Sequence, residues 1–309
     1  EDNIIDNGFD SARLQMKDED FNNLFDNVRT IHFILKSVEE GISDFDKLTP
    51  PFKIADNLDL IPGRLTLFMY ENKISERWSG MFLGEPLSIR TVTKIRKVAE
   101  SYSERNGYDF VITDTSPNLG MLNKVIISTA DGFIVPCLPD MFSLYGIKNI
   151  GKALTQWQRE FNTSLYIISE GKRKEFPSKF VRFLGYTIYN AKKRSDSPKE
   201  WNLAKAHYNY ARQIPEAIRE YVDKEVRAHI ADEIVAKPIG NDTIMHTHNT
   251  FPAMAQKYKK PMWELPAYNG LDKKDKSTIA PNRQAYEDTR GKYENFAAEF
   301  MERVASLDD

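Results

Sequence analysis

The stretch DFVITDTSPNLG, residues 109–120, places a short apolar run in front of an aspartate and a Thr-Ser-Pro turn. Because Phe110 to Thr113 form a run apolar on both faces, the pattern predicts a strand over 109–114 inside a parallel sheet covered by helices. An unpaired carboxylate is costly in a core, so we expect Asp114 where the strand emerges at its carboxyl end, the edge at which open α/β sheets bind ligands. A simpler interpretation, that Asp114 caps the following helix, fits the same residues, and the stretch alone favours it.

The surrounding sequence alternates between helical and strand-like patterns. Helical spacing predicts helices over 22–41, 89–107, 119–130, 143–161 and 201–230, the last interrupted at Pro215, and a further helix with an apolar face from Tyr293 to Val304. Strands are predicted over 57–63, 109–114, 131–139, 164–169, 180–190 and 232–239, and a polar loop over 272–283. The helix between the apolar strands 109–114 and 131–139 indicates a right-handed parallel crossover. The sequence therefore predicts an α/β fold with a mainly parallel sheet and helices on both faces.

Composition narrows the class of protein. The 309 residues are 41% hydrophobic and 28% charged, with no apolar run long enough to span a membrane. The single cysteine, Cys137, can form neither an internal disulfide nor a zinc site, which favours a cytoplasmic location. His246 and His248 lie two residues apart with no cysteine or second histidine pair beside them, so we do not expect a metal site there.

Charge is unevenly distributed along a chain whose formal net charge is -2. Residues 171–199 carry nine lysines and arginines against two acidic residues. Such a stretch is typical of a surface that attracts nucleic acid phosphates, and equally of an ordinary solvated loop. The sequence alone leaves both interpretations open.

The residues around Asp114 suit magnesium and phosphate chemistry. Magnesium keeps most of its hydration shell and needs only one or two protein carboxylates, while phosphate oxygens supply the rest. In phosphoryl transfer the metal neutralises charge that develops between the β- and γ-phosphates. The turn after Asp114 would then lie against the γ-phosphate and could change shape when that group leaves.

Residues 108–150 resemble the Walker B and switch II region of the ParA family of partition ATPases, within the larger group that includes MinD. The matching pieces are, in order, Asp114-Thr115-Ser116-Pro117, Leu119-Gly120, Pro136 to Pro139, Asp140, and Phe142-Ser143-Leu144-Tyr145-Gly146. Weaker similarity extends the resemblance to about residues 55–265. Ser116 stands where proline is commoner in the family, a mild change that should preserve the turn.

The resemblance implies roles for individual residues and a P-loop NTPase-like fold. Asp114 would be the carboxylate linked to Mg²⁺ through water, and Thr115, Ser116 and Pro117 would sense the γ-phosphate. Asn190, Pro238 and Ile239 would lie near the adenine. The implied cofactors are ATP and Mg²⁺.

One element of the family is missing from these residues. No Gly-x-x-x-x-Gly-Lys-Ser/Thr occurs in the sequence, so no loop of this kind is available to wrap phosphates with backbone amides and a lysine. We therefore expect this chain alone to lack ATPase activity. Because the opening EDNIIDNGFD has no initiator methionine, we expect the amino-terminal strand and phosphate loop to precede it. The expected organisation is an acidic segment over 1–56, an incomplete nucleotide-binding domain over 57–270, and a polar loop with a final helix over 271–309.

By resemblance, the complete protein would be a ParA-type ATPase in plasmid or chromosome segregation, acting as an ATP-dependent homodimer. It would bind DNA without sequence preference and respond to a ParB-like stimulating protein. The candidate DNA-binding residues are Lys172, Arg173, Lys174, Lys192, Lys193 and Arg194. Two alternatives stay open: a MinD-like membrane-cycling ATPase, against which the acidic final helix argues, and a non-catalytic binding module of the same fold.

Overall fold

The computed structural model describes residues 30–42, 48–174, 176–194, 199–227 and 229–307. These residues divide into two units: the first contains the described residues within 1–130 and 157–180, and the second contains those within 131–156 and 181–309. Of the predicted helix over 22–41, residues 22–29 lie outside the described residues. The proposed domain boundaries after residues 56 and 270 stay a prediction.

The first unit is mainly helical. Its elements are helix α1 (Ile31–Glu39), an antiparallel hairpin of β1 (Phe52–Ala55) and β2 (Leu58–Leu60), a 3-10 turn (Leu65–Leu67), and helices α2 (Phe68–Phe82), α3 (Pro86–Asn106) and α4 (Met121–Thr129). Helix α3 ends at Gly107, whose φ of 71° is the left-handed conformation that glycine adopts without steric cost. The predicted helix over 89–107 is therefore confirmed.

Polar side chains tie these helices together. The Tyr70 hydroxyl of α2 donates to the Thr91 carbonyl of α3 at 2.6 Å. The Arg77 guanidinium donates to the carbonyls of Val38 and Glu39 at 2.6 and 2.8 Å, and so satisfies acceptors that the end of α1 leaves without intrahelical partners. These hydrogen bonds join α2 to both α1 and α3.

The second unit contains the parallel strands. Strand β3 (Gly132–Cys137) pairs in parallel with β4 (Arg182–Ile188), from Gly132 opposite Arg182 to Cys137 opposite Ile188. Helix α5 (Met141–Ile167) and the one-turn helix α6 (Glu170–Arg173) lie between the two strands in sequence, and α5 contributes residues to both units. This pair confirms the parallel component of the predicted α/β fold.

The carboxyl-terminal half of the second unit is again helical. The remaining helices are α7 (Lys205–Ala211), α8 (Ile214–Tyr221), α9 (Lys224–Arg227), α10 (Asp232–Val235), α11 (Phe251–Tyr258), α12 (Lys273–Ile279) and α13 (Arg283–Ala305), with 3-10 segments at Glu200–Asn202, Met262–Ala267 and Ala280–Asn282. Met262, Leu265, Ile279 and Tyr286 form one buried cluster here. The predicted carboxyl-terminal helix is confirmed.

Five local predictions are wrong in the described structure. Residues 109–114 form no strand, so the predicted crossover between 109–114 and 131–139 is also wrong. Residues 164–167 belong to α5, residues 232–235 form α10, and the predicted polar loop 272–283 contains α12. Among the described helices, none has the length and apolar content needed to cross a membrane.

Candidate functional site

Asp114 lies in an extended, solvent-exposed segment that leads from α3 to α4. The side chains of Phe110, Val111 and Ile112 are 45%, 49% and 83% exposed, because no described strand pairs with this segment and no helix covers it. A strand exists only through hydrogen bonds to a neighbour, so the apolar run alone does not create one. The prediction that Asp114 ends a covered central strand is therefore wrong for the described residues.

The simpler interpretation of Asp114 as a helix cap is also wrong. Helix α4 begins after Gly120, and the Asp114 carboxylate accepts no hydrogen bond and joins no ion pair within the described part of the chain. Both of its oxygens are therefore open to solvent or to a ligand.

The turn that follows Asp114 is held by two asparagines that the motif did not identify. The Asn118 side chain accepts from the Gly120 amide at 2.8 Å and donates to the Ser116 hydroxyl at 2.7 Å. The Asn123 amide of α4 is 2% exposed and donates to the carbonyls of Ser116 and Asn118 at 2.6 and 2.8 Å. Asn after Pro is a common turn signal that could have indicated Asn118, whereas nothing local distinguishes Asn123.

A carboxylate from another helix occupies the amino end of α4. Glu71 of α2 accepts the Leu122 amide at 3.2 Å. A Cβ on Gly120 would lie 2.2 Å from a Glu71 oxygen, so a larger residue there would require the Glu71 side chain to move. Because Glu71 already brings a negative charge to this helix end, the end is not available to hold a phosphate.

The carboxyl ends of β3 and β4 meet at one edge of the parallel pair, where the Tyr189 amide donates to the Cys137 carbonyl at 3.1 Å. Asn190 follows β4 directly, is exposed, and has a φ of 55°, a left-handed conformation that asparagine tolerates better than most residues. Beyond β3, Asp140 accepts the Ser143 amide at 2.8 Å and Ser143 accepts the Leu138 amide at 2.9 Å. This edge therefore carries the polar groups expected at a ligand-binding edge of an α/β fold.

Pro238 and Ile239 lie beside β4 in the interior of the second unit. The Ile239 amide donates to the Tyr186 carbonyl at 2.8 Å, and the Ile239 side chain is 0% exposed. Arg303 of α13 donates to the carbonyls of Leu184 and Lys237 at 3.1 and 3.3 Å, and Glu299 accepts the Gly240 amide at 2.7 Å. Of the predicted adenine neighbours, Pro238 and Ile239 are thus core residues beside contacts made by α13, whereas Asn190 is exposed; their role stays a prediction.

The six candidate DNA-binding residues fall in two groups. Lys172 and Arg173 belong to α6 and Lys174 follows it, in the first unit, where Arg173 donates to the Ile168 carbonyl at 3.2 and 3.3 Å. Exposed side chains at Lys192, Lys193 and Arg194 follow β4 in the second unit. Each group presents cations to solvent, apart from Lys172, whose side chain lies outside what the structure describes.

A separate cleft of about 530 Å³ opens on the helical part of the second unit. Its lining includes Trp263, Tyr268 and Lys260. Two further lining residues, Glu287 and Arg290, pair along α13 with Arg283 and Glu294 at 2.7 and 2.8 Å. None of the predicted site residues lines this cleft.

The donor set around Asp114 fits a hydrated magnesium ion and does not fit a triphosphate. One open carboxylate with neighbouring hydroxyls is enough for magnesium bound through water. Phosphates need several free backbone amides or cations, and here the Gly120 and Leu122 amides are occupied by Asn118 and Glu71. The open Asp114 carboxylate is therefore compatible with a water-bound metal, and the described residues at the start of α4 offer no free amides to cradle phosphates.

Comparison with known proteins shows which proteins this chain resembles. A model of the AAA domain matches residues 16–167. Soj, the sporulation initiation inhibitor protein of Bacillus subtilis, is 23% identical over 36% of this chain and 39% of its own length. A ParA family protein of Mycoplasma genitalium is 31% identical over 24% of this chain and 26% of its own, and an uncharacterized protein of Methanocaldococcus jannaschii is 28% identical over 37% and 35%.

A crystal structure of a Corynebacterium diphtheriae protein shares the fold, with a TM-score of 0.52 over 69% of this chain and 75% of that one at 19% identity. The chain spans about a quarter to two fifths of the length of the curated relatives that it matches. The AAA domain match includes the whole stretch from Asp109 to Gly120. The resemblance to the ParA family predicted from residues 108–150 is confirmed.

Proposed function

We propose that this chain carries the metal-facing and γ-phosphate-sensing part of a ParA-type ATPase that acts in DNA partition, and its similarity to the AAA domain model and to ParA family relatives supports this proposal. The observation that carries the proposal is the Walker B-like segment 109–117, in which the Asp114 carboxylate is exposed and open. The proposed cofactors are ATP and Mg²⁺. The proposed partners are a second copy of the chain, DNA and a ParB-like stimulating protein.

In this proposal Asp114 accepts a hydrogen bond from a water of the hydrated metal, while Thr115 and Ser116 present hydroxyl groups beside it. When bound, the metal supplies neutralisation of the charge that develops between the β- and γ-phosphates. Asn118 and Asn123 hold the Ser116 carbonyl and hydroxyl in place, and thereby orient the turn. The phosphate cradle is assigned to no residue of this chain.

The test compares the full-length product of the gene with the chain of residues 1–309. ATP hydrolysis is measured by phosphate release, and Mn²⁺ binding in the presence of ATP by electron paramagnetic resonance. Asp114→Asn in the full-length product should lower turnover by about 100-fold or more, because the metal contributes several kcal/mol to the transition state. The control is Asp109→Asn, which removes the same charge from an exposed residue of the same segment.

The two variants separate the possible outcomes. Turnover that falls only in Asp114→Asn supports the assignment. Unchanged turnover in Asp114→Asn, or equal losses in both variants, would refute the role of Asp114.

The DNA-binding proposal has its own test. Replacing Lys192, Lys193 and Arg194 with glutamine should reduce the salt dependence of binding by about 0.9 in the logarithmic slope for each phosphate that the variant no longer neutralises. The control replaces Lys273, Lys274 and Lys276 with glutamine, which removes the same charge from exposed positions of the second unit. Equal slopes in both triple variants would show that residues 192–194 do not bind DNA. The same design applies to Lys172, Arg173 and Lys174.

A non-catalytic binding module is the second candidate. It is favoured by the absence of a Gly-x-x-x-x-Gly-Lys-Ser/Thr loop from these residues and by the occupied amino end of α4. Failure of the full-length product to bind ATP by isothermal titration calorimetry would decide for the module. Binding with turnover would decide for the ATPase.

A further inference from the structure

Asn123 joins the turn after Asp114 to helix α4 from inside the unit. Its side chain is 2% exposed, and its two amide hydrogens have good acceptors in the carbonyls of Ser116 and Asn118 at 2.6 and 2.8 Å. An unmade hydrogen bond at a buried amide is costly, so this geometry is strongly preferred over one in which the turn moves away. The shape of residues 116–118 is therefore tied to the position of α4.

Glu71 joins α4 in turn to α2. Its carboxylate accepts the Leu122 amide at 3.2 Å, at the helix end where negative charge is favoured. Gly120 allows this close approach, since a Cβ there would meet a Glu71 oxygen at 2.2 Å. Glu71 lies 51 residues before Leu122 in sequence, so the contact is tertiary and not part of the turn motif.

We propose that Asn123 and Glu71 are positioning residues that make the turn 116–120, helix α4 and helix α2 move together. This inference rests on the proposed function, in which the same turn faces the γ-phosphate. A change in the turn on phosphate loss then has to displace α4, and the displacement reaches α2 through the Glu71 carboxylate. The nucleotide state would thereby be transmitted to a helix that contributes no residue to the motif.

The first experiment needs no nucleotide. Hydrogen exchange followed by mass spectrometry is measured over residues 115–124 of the 309-residue chain. Glu71→Ala should accelerate exchange at Leu122 by about ten-fold or more, because a hydrogen bond to a charged group is lost, whereas Glu71→Gln, which keeps an acceptor, should stay within about three-fold of the wild type. Glu76→Ala on the same helix, where Glu76 pairs at 2.7 Å with Lys73, is the matched control.

Asn123→Asp keeps the size of the side chain and removes both donors. It should accelerate exchange at Asn118, whose amide donates to the Ser116 carbonyl at 2.8 Å, while Asn72→Asp makes the same charge change at an exposed position of α2 and should not. Wild-type exchange rates in both Glu71→Ala and Asn123→Asp would overturn the inference. Because this arm contains no nucleotide, that result would leave the proposed function standing.

The second experiment uses ATP turnover by the full-length product. Glu71→Ala should lower kcat by about ten-fold with KM for ATP within about two-fold, and Glu71→Gln should restore most of kcat, since positioning acts on the transition state. Equal kcat in Glu71→Ala and wild type, with faster exchange at Leu122, would refute the coupling to the site. No turnover in the wild type would refute the proposed function, with the exchange result still deciding whether the two side chains hold the turn.

Discussion

Gly185→Ala is expected to be among the most damaging single-methyl changes in the second unit. Gly185 lies in β4 at the point where the register with β3 shifts between Phe133 and Ile134, and its φ is 135°. Residues with a Cβ rarely adopt this conformation. An added Cβ would also lie 2.2 Å from Nη1 of Arg303, and 3.1 Å from Cγ1 of Ile239.

Two costs add in this variant. The backbone strain is worth about 1–3 kcal/mol. Displacing the Arg303 guanidinium breaks its 3.1 Å hydrogen bond to the Leu184 carbonyl, a bond to a charged donor worth about 1.5–3 kcal/mol. The expected loss in the free energy of unfolding is therefore about 2.5–6 kcal/mol, a large part of the 5–15 kcal/mol typical of a folded protein.

Urea unfolding followed by far-ultraviolet circular dichroism gives this loss directly. The matched control is Gly291→Ala in α13, where nothing lies within 4 Å of the added methyl, and which should stabilise the helix by about 0.5–1 kcal/mol. Repeating Gly185→Ala in an Arg303→Met background removes the collision with the guanidinium, so the loss that persists there comes from backbone strain and the 3.1 Å contact with Cγ1 of Ile239. Equal stability of Gly185→Ala and wild type would show that β4 does not carry this conformation in solution.

Three further predictions concern buried polar groups. Burial, with nearby Arg182, lowers the pKa of His229 from its ordinary value near 6.5 to about 4. Folding therefore favours the neutral imidazole, and the stability that His229 contributes is complete above pH 6.5 and is lost as the pH falls towards 4. His229→Gln should flatten the dependence of the free energy of unfolding on pH over that range, as measured by urea unfolding. The Lys124 ammonium pairs with Glu160 and lies 3.9 Å from the ring centroid of Trp78. Lys124→Ala should therefore lower the free energy of unfolding by about 2–3 kcal/mol in the same assay. The double variant Lys124→Met with Glu160→Gln should recover most of that loss. Ser128→Ala should raise the melting temperature, because it removes a buried hydroxyl that has no hydrogen-bond partner, a gain of about 1 kcal/mol; a lower melting temperature would indicate a bound water there.

Helical periodicity predicted secondary structure best where the deciding signals lie within the element itself. Helix α3 follows from apolar spacing and a terminal glycine, and both signals are local. The strand predicted over 164–169 is wrong because α5 continues to Ile167: the Ser164 hydroxyl donates to the Glu160 carbonyl, and the Ile168 amide donates to the Ser164 carbonyl at 3.0 Å. A six-residue segment with four apolar or aromatic residues fits either a strand or a helix, so the preceding helix determined its structure.

Tertiary contacts explain why the polar stretch 272–283 is helical. Within α12, Asp275 is 8% exposed and accepts from Lys257 at 2.6 Å, and Ile279 is 1% exposed. Composition alone suggested a solvated loop, because neither contact can be deduced from the sequence around it. Strand 109–114 failed for the opposite reason, since its composition was right and no described neighbour pairs with it.

At the candidate site, the sequence identified the chemistry of the residues but not the tertiary contacts that position them. The motif identified Asp114 and the turn after it, because residue type and order determine which groups can meet a metal. It did not identify Glu71, or Glu299 and Arg303, which lie far away in sequence and bind the backbone of segments 120–122 and 237–240 through single polar side chains. Glu299 and Arg303 fix a segment to which the resemblance assigned a nucleotide role, and Glu71 fixes the helix end that follows another such segment. Substituting them would leave the motif intact and change its geometry, so sequence similarity to ParA proteins is expected to be a weaker guide to turnover than hydrogen exchange at these two segments.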